Sequence, residues 1–263
     1  MSRELDVLVK AITKASEIVM NGDRSAKDKA TSSGMYDVVT DPDLLSEASI
    51  IRDIREAFPD DAIISEETNP DQKLAERCWT IDPIDGTMNY SRGIPFFGTQ
   101  GCFMENGEAK ASAIYLPVFD EMFTASDEGA FLNGKPIHTS SPRPLKQCLV
   151  STGDFSRRSQ EFRDAQATIF HDCYSDIARF KVFGASCVDY TYLASGRLDV
   201  HMRFLNKIWD FKPGMHIAEK AGAVYDKELA DRHGILVMCS SREVLDEAVQ
   251  NMVPKFISIF RRA

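Results

Sequence analysis

From Cys148 onward the chain alternates short apolar runs with amphipathic segments, and this alternation constrains the fold more than any other feature. Cys148 to Ser151, Phe180 to Val182, Leu198 to Met202 and Ile235 to Cys239 read as strands. Helices are predicted near Glu161 to Phe170, from Ser186, from Asp210 to Ala221, and over a last segment carrying Val244, Leu245, Val249 and Phe256. Strands and helices in such alternation pack as an α/β layer, with the helices lying on the sheet.

The earlier part of the chain reads differently. Leu5, Leu8, Val9, Ile12 and Val19 recur at helical spacing and predict a helix to about Met20, ended by Asn21-Gly22. Residues 21–36 are polar and include Arg24, Lys27 and Lys29; they fit a solvated loop or a mobile flap over a site. After Tyr36-Asp37-Val38-Val39-Thr40 a second helix presents Leu44, Leu45, Ala48, Ile51, Ile54 and Phe58 on one face, and Pro59 closes it. Thr40 and Asp43 have capping-box spacing, which explains Asp43 structurally and leaves room for a further role. Ala62-Ile63-Ile64 is a short buried strand running into Ser65-Glu66-Glu67, whose two adjacent acids are expected not to point the same way, one facing a site and its neighbour the other side. Phe96 to Met104, Glu108 to Leu116 and Met122 to Ala125, followed by a hairpin about Asn133-Gly134, predict an antiparallel sheet. Ser140-Ser141-Pro142-Arg143-Pro144 is the expected boundary between an N-terminal half, residues 1–142, and a C-terminal half, residues 143–263.

The chain has 263 residues, enough for a substantial core, and a net charge of −9. That charge argues against binding nucleic acid through a basic surface, and an acidic protein that handles phosphate needs local positive charge, for which divalent cations are the obvious source. The cysteines Cys78, Cys102, Cys148, Cys173, Cys187 and Cys239 are scattered, mostly in apolar runs and with no C-x-x-C pair. They fit reduced, buried thiols of a cytoplasmic protein. Neither a signal peptide nor a membrane span is expected, since the start is amphipathic and no long apolar run follows.

Trp79 to Asn89 carries the chemistry. Trp79-Thr80-Ile81 reads as a buried strand ending in a turn with two carboxylates, Asp82 and Asp85, on either side of Pro83, then Gly86 and Thr87. Gly86 lets backbone approach a ligand, and the N–H groups that follow can face an anion. Hard carboxylate oxygens suit magnesium, so the turn suits a metal-assisted phosphate site, although Asp-Pro and Asp-Gly are also ordinary turn formers. Asp43, Glu66, Glu67 and Asp210 are the other acids to weigh. Asp210 stands where a helix should begin, as an N-cap with Pro213 in the first turn, and Trp209 reads as a core aromatic; neither reading excludes a metal. Carboxylates gathered without cations would be driven toward protonation, which magnesium relieves. There is no P-loop, zinc-protease or serine-hydrolase motif. A phosphatase of the haloacid-dehalogenase type is disfavoured, because Asp82-Pro83-Ile84-Asp85-Gly86-Thr87 has one residue too many for its nucleophile motif.

Trp79-x-x-Asp82-Pro83-x-Asp85-Gly86-Thr87-x-Asn89, preceded by Val39-Thr40-x-x-Asp43 and Glu66-Glu67 and followed by Trp209-Asp210 and Ala221-Gly222, resembles the inositol monophosphatase family. The resemblance spans nearly the whole chain. It implies an α/β fold, a layered αβαβα sandwich, often homodimeric, that hydrolyses small phosphate esters with two or three Mg²⁺ ions and is inhibited by lithium. It implies that Glu66, Asp82 and the Ile84 carbonyl hold one ion, and that Asp82, Asp85 and Asp210 hold a second. Thr87, with Glu67 or Asp43, would orient or deprotonate the attacking water, and the amides of Gly86 and Thr87 would hold the phosphate. Direct in-line attack by metal-activated water follows, with no phosphoenzyme. Inositol 1-phosphate is the default substrate, and a non-catalytic regulatory role on the same fold is a remote alternative.

There are departures from the family pattern. The family commonly has an acid that hydrogen-bonds inositol hydroxyls seven positions before the Asp of Trp-Asp; here that position is Arg203. A guanidinium pairs with phosphate or carboxylate, so Arg203, with Lys181 and Lys207, suggests a substrate with a second anionic group, such as fructose 1,6-bisphosphate, adenosine 3′,5′-bisphosphate or NADP. A surface arginine paired to an acid is the plainer alternative. Ser186 falls where family members line the substrate's sugar side.

Overall fold

The computed structural model describes residues 2–29, 37–153, 160–205 and 207–260. Within them the chain runs α1 (Arg3–Asn21), β1 (Ala26–Asp28), β2 (Val38–Thr40), α2 (Asp41–Ala57), β3 (Ala62–Ser65), β4 (Arg77–Asp85), α3 (Thr87–Ser91), β5 (Gly98–Glu105), β6 (Glu108–Leu116), β7 (Glu121–Ser126), β8 (Gly129–Leu132) and β9 (Lys135–Pro136). It continues through β10 (Leu149–Thr152), α4 (Gln160–Asp172), β11 (Arg179–Lys181), α5 (Ser186–Ala194), β12 (Val200–Phe204), α6 (Ile208–Lys220), β13 (Val224–Tyr225), α7 (Lys227–His233), β14 (Ile235–Cys239), α8 (Arg242–Asn251) and α9 (Val253–Phe260). Strands β3 to β9 form one sheet in chain order, antiparallel throughout except for the parallel pair β3–β4. The second sheet has the order β11-β10-β12-β14-β13 and mixes parallel with antiparallel pairs.

The pleat sorts side chains between layers. On β6, Ala111 and Ala113 join Leu8, Ile12 and Ile54 of α1 and α2, whereas Ile114 and Leu116 face α5 and α6. On β14, Leu236 and Met238 face the same α5–α6 layer, and Ile235, Val237 and Cys239 turn outward to α4, α8 and α9. Five layers result, α1/α2, sheet, α5/α6, sheet and α4/α8/α9: the αβαβα sandwich. The central helices pass close to one another. An added Cβ at Gly214 of α6 would lie 2.4 Å from the Tyr190 ring of α5, so only glycine allows that approach.

Local departures from the sequence reading have physical causes. Residues 26–28 are not plain loop: β1 pairs antiparallel with β2, and Lys29 N–H donates to the Asp37 carbonyl at 2.8 Å. The rest of the expected flap, residues 30–36, lies outside the described residues. Helix α6 begins at Ile208 with Lys207 as its N-cap, so Asp210 is a first-turn residue rather than the cap, and Pro213 lies inside the helix. The last helix is two, α8 and α9, with Met252 between them. All six cysteines are free and buried. Among the described residues no helix is long and apolar enough to cross a membrane.

Candidate active site

The site forms where the end of β4 meets the N-termini of α5 and α6. Alternation along β4 puts Trp79 and Ile81 against α1 and α2, so Cys78, Thr80 and Asp82 face the other way, toward α6 and Trp209. Three residues on, Asp85 would return to the wrong face of a regular strand. The register prevents this: Asp82 pairs with Gln100 and Asp85 with Gly98, so one strand spends an extra residue at Pro83-Ile84. That bulge turns both carboxylates toward the central helices, and Pro83, with no N–H, removes a ladder donor there. Gly86 then takes φ +89°, and a Cβ on it would lie 2.9 Å from Phe96 O and from Ala185 Cβ. The turn opens α3, whose first-turn amides have no helical acceptors.

Each acid has a distinct environment. Asp82 is 1% exposed; Gln100 Nε2 reaches its Oδ2 at 3.4 Å, and among the described residues no donor reaches Oδ1. Asp85 Oδ2 accepts from the Cys187 N–H at the start of α5 and from Ser186 Oγ at 3.0 Å. Ser186 Oγ also lies 2.6 Å from the Asp210 carbonyl, so this 7% exposed hydroxyl joins the two acid-bearing segments. Arg203, on the same inward face of β12 as His201, places NH1 3.2 Å from the Asp210 carbonyl and NH2 3.4 Å from Asp210 Oδ2. With its side chain only 13% exposed, Arg203 is an internal residue, and the surface-arginine alternative does not hold.

Glu66 and Glu67 do not part. Both lie past the end of β3 in a turn, where strand alternation no longer applies, and Lys29 Nζ donates to Glu66 Oε1 at 3.1 Å and Glu67 Oε1 at 2.7 Å. That turn is anchored by a residue the sequence reading passed over. Glu47, buried in α2, accepts from the N–H groups of Glu67 and Thr68, each at 2.8 Å, from Ser65 Oγ at 3.0 Å and from Thr68 Oγ1. Asp43 completes the capping box by accepting the Thr40 N–H at 2.8 Å, and its other oxygen faces Thr87 Oγ1 at 3.2 Å. Thr87 Oγ1 also lies 2.9 Å from the Ile84 carbonyl. Of the two acids considered beside Thr87, Asp43 is the one that accepts from its hydroxyl, while Glu67 pairs with Lys29.

Burial pushes the carboxyls of Asp43, Glu66, Glu67, Asp82, Asp85 and Asp210 up. Glu66 reaches about 8, with Asp210 and Glu67 adding repulsion and Lys29 opposing. Asp82 is raised well above the usual range by burial and then by Glu66, Asp85 and Asp210. Asp85 is raised by burial, against the Cys187 amide and Arg203. Asp210 and Asp43 each reach about 6, again mainly through burial. Burial opposes the Lys29 charge, yet Glu66 and Glu67 outweigh it and its pKa is raised.

The donor set fits a small hard cation. Four mutually repelling carboxylates and a carbonyl offer only oxygen, and buried Asp82 Oδ1 has no hydrogen bond among the described residues. Among the described residues no three of these acids converge closely enough to grip an ion as they stand. Lys29 pairs with Glu66 and Glu67, the start of α5 with Asp85, and Arg203 with Asp210.

A layered α/β protein with buried acids at a bulged strand end and a hydroxyl–carboxylate pair beside them is a class to which solved structures can be matched. An IMPase of Thermotoga maritima superposes with a TM-score of 0.83 at 25% identity, covering 99% of each chain. An extragenic suppressor protein suhB from Bartonella henselae has the same fold, with a TM-score of 0.84 at 24% identity over 95% of this chain and 98% of its own. In sequence the chain is 31% identical over 261 residues, 97% of each chain, to a Haemophilus influenzae protein named Nus factor SuhB. It is 29% identical over 221 residues, 84% of this chain and 83% of the relative, to a fructose-1,6-bisphosphatase/inositol-1-monophosphatase of Thermotoga maritima. Residues 1–249 match the profile of the inositol monophosphatase family, and the chain belongs to that family.

Proposed function

We propose that the protein is a Mg²⁺-dependent phosphomonoesterase that hydrolyses inositol 1-phosphate or a related small sugar phosphate by direct attack of water. The observation that carries the reading is the grouping of Glu66, Asp82, Asp85 and Asp210 around one bulged turn with the Thr87–Asp43 pair at its edge. Glu66, Asp82 and the Ile84 carbonyl would hold one ion, and Asp82, Asp85 and Asp210 a second. Magnesium bound there would supply Lewis acidity toward the phosphoryl oxygens and lower the pKa of water.

The chain's own groups do the rest. Thr87 Oγ1 takes a proton from the attacking water as it passes its own to Asp43 Oδ1, so the hydroxyl is restored and Asp43 holds the proton. A carboxylate held near 6 is ionised at neutral pH and still basic enough to take that proton. The Gly86 and Thr87 amides receive the phosphoryl oxygens at the start of α3. Asn89, donating to the Phe96 carbonyl at 2.7 Å and the Phe183 carbonyl at 2.8 Å, ties α3 to the segment leading into α5 and keeps Thr87 in place. Lithium inhibition, a cytoplasmic location and a homodimer belong to the same reading. For the dimer, Phe119 lies exposed beside Phe96, with the ring centroids 6.2 Å apart, and Phe96 meets Phe183 at 5.2 Å.

A bisphosphate substrate has the support of relatives named fructose-1,6-bisphosphatase/inositol-1-monophosphatase, but less from Arg203, which spends its guanidinium on Asp210. A regulatory role has the support of relatives named Nus factor SuhB. Phosphate release with Mg²⁺ across inositol phosphates, sugar bisphosphates, adenosine 3′,5′-bisphosphate and NADP separates the three. Release from inositol 1-phosphate that is lost in Asp85→Asn is the expected result; no release from any member of the panel would overturn the reading.

A further inference from the structure

Among the described residues Lys29 and Arg203 both donate hydrogen bonds to acids of the site, and they differ in kind. Lys29 sits just past the end of β1, beside Glu66 and Glu67, whereas Arg203 is built into a five-stranded sheet. Alternation on β12 sends Val200 and Met202 outward to α4 and α8, which leaves His201 and Arg203 facing α5 and α6. The guanidinium lies at Asp210, bonded to both its carbonyl and its carboxylate, and is 13% exposed. Tyr190 packs against His201 beside it with the rings 4.7 Å apart, and Asp85 and Asp189 are the next charges it feels, Asp189 the less strongly. Among the described residues its Nε has no hydrogen-bond partner. An arginine cannot shed its charge to escape such a place.

We infer that Arg203 is a fixed internal counter-cation for the Asp85–Asp210 half of the site, which makes this chain bind its second divalent ion weakly and in competition with its own guanidinium. The inference rests on the proposed metal-dependent reading. A divalent ion held by Asp85 and Asp210 must share Asp210 with a permanent positive charge. Even at the dielectric constant of bulk water, a unit charge about 6 Å from a divalent ion weakens binding by roughly tenfold, and a drier site weakens it further. Arg203 is thus a positioning residue that sets the concentration at which the second ion is taken up, rather than a contact for substrate.

The test is a titration of the full-length protein with Mn²⁺, following free Mn²⁺ by electron paramagnetic resonance, and with Mg²⁺ by calorimetry, no substrate being present. The wild type should show one tighter and one weaker site. Arg203→Met and Arg203→Gln remove the charge, the second keeping an N–H for the Asp210 carbonyl. In both, the weaker site should tighten by about tenfold or more while the tighter one changes less. Arg203→Lys should leave the weaker site within about threefold of wild type, because it keeps the charge without the fork. An unchanged or weakened second site in the neutral variants would overturn the inference. So would loss of the fold in both, judged by circular dichroism, which would assign the arginine to stability. Wild type that binds no divalent ion would instead overturn the metal-dependent reading itself, so the two failures are distinguishable.

Discussion

Glu47→Gln is the perturbation that most directly tests how the site is held together. The Glu47 carboxylate is 0% exposed and is the shared acceptor for the turn that carries Glu66 and Glu67. Its Oε1 serves Ser65 Oγ, the Thr68 N–H and Thr68 Oγ1, and its Oε2 serves the Glu67 N–H at 2.8 Å. A glutamine can keep its oxygen on the three-donor side, but its NH₂ then faces the Glu67 N–H, donor against donor. One charge-assisted bond is lost outright and the others lose their charge, a cost of about 3 kcal/mol. For a chain of this size that lowers Tm by about 6–12 °C. The released turn also lets Glu66 wander, so the Mg²⁺ concentration for half-saturation should rise about 10–100-fold, as it does when residues supporting metal ligands are removed. Scanning fluorimetry and a Mg²⁺ titration measure the two effects. The control is Asp53→Asn, which breaks an exposed pair with Lys14 and should shift Tm little. A Glu47→Gln protein with wild-type Tm and wild-type Mg²⁺ response would refute the assignment of Glu47 as the anchor of the turn.

Without divalent ions, stability should fall as pH rises. Asp43 and Asp210 are raised to about 6 and Glu66 to about 8, so the folded state keeps protons the unfolded chain has released. The advantage is fully present below about pH 4 and is lost as pH climbs through about 6 and then about 8, so Tm in EDTA should drop between about pH 4 and pH 8.5 and recover on adding Mg²⁺. Thr87→Ala and Asp43→Asn should each lower kcat by about 100-fold or more, with Thr87→Ser retaining much of it, and the wild-type rate should fall off on the acid side below about pH 6. A Thr87→Ala enzyme with full kcat would remove the hydroxyl from the mechanism. Phe119→Glu, on the exposed apolar face, should convert a dimer to monomer in sedimentation velocity, and an unchanged sedimentation coefficient would place any dimer contact elsewhere.

The layered fold is readable in the sequence because it follows from periodicity. Ile235 to Cys239 announces a strand buried on both faces, and Leu8, Ile12 and Val19 announce a helix with one buried stripe. Boundaries set by non-local pairing are less readable. β1 is a three-residue, fully exposed segment whose partner is β2, and β13 is a two-residue segment held by β14; neither contains an apolar run long enough to register on its own. The start of α6 moves from Asp210 to Ile208 because Lys207 supplies an extended backbone there, although its side chain makes no capping bond. A strong capping residue can therefore stand three positions inside its helix, where Asp210 pairs with Arg203 instead of capping.

The acids of the site are legible because buried carboxylates at a strand end have few structural reasons to exist, but their relations to one another are not. Pro83 between Asp82 and Asp85 hints at a turn; only the pairing with Gln100 and Gly98 shows a bulge, and only the bulge explains why acids three apart share a face. Glu47 looks like any helical glutamate, since nothing in its neighbours says that residues 65–68 will fold back on it. The inward face of Arg203 is written in the strand's alternation. Arg203 shares strand parity with His201, opposite to Val200 and Met202, so an inward-facing guanidinium follows from the same alternation that identifies the strand. An inward arginine seven residues before Asp210 has a neighbouring carboxylate closer at hand than any substrate, and charge pairs form first with what is nearest. The sequence position that distinguishes this chain from the family pattern is thus paired to Asp210, and the inference that it acts through the metal ligands rests on that pair.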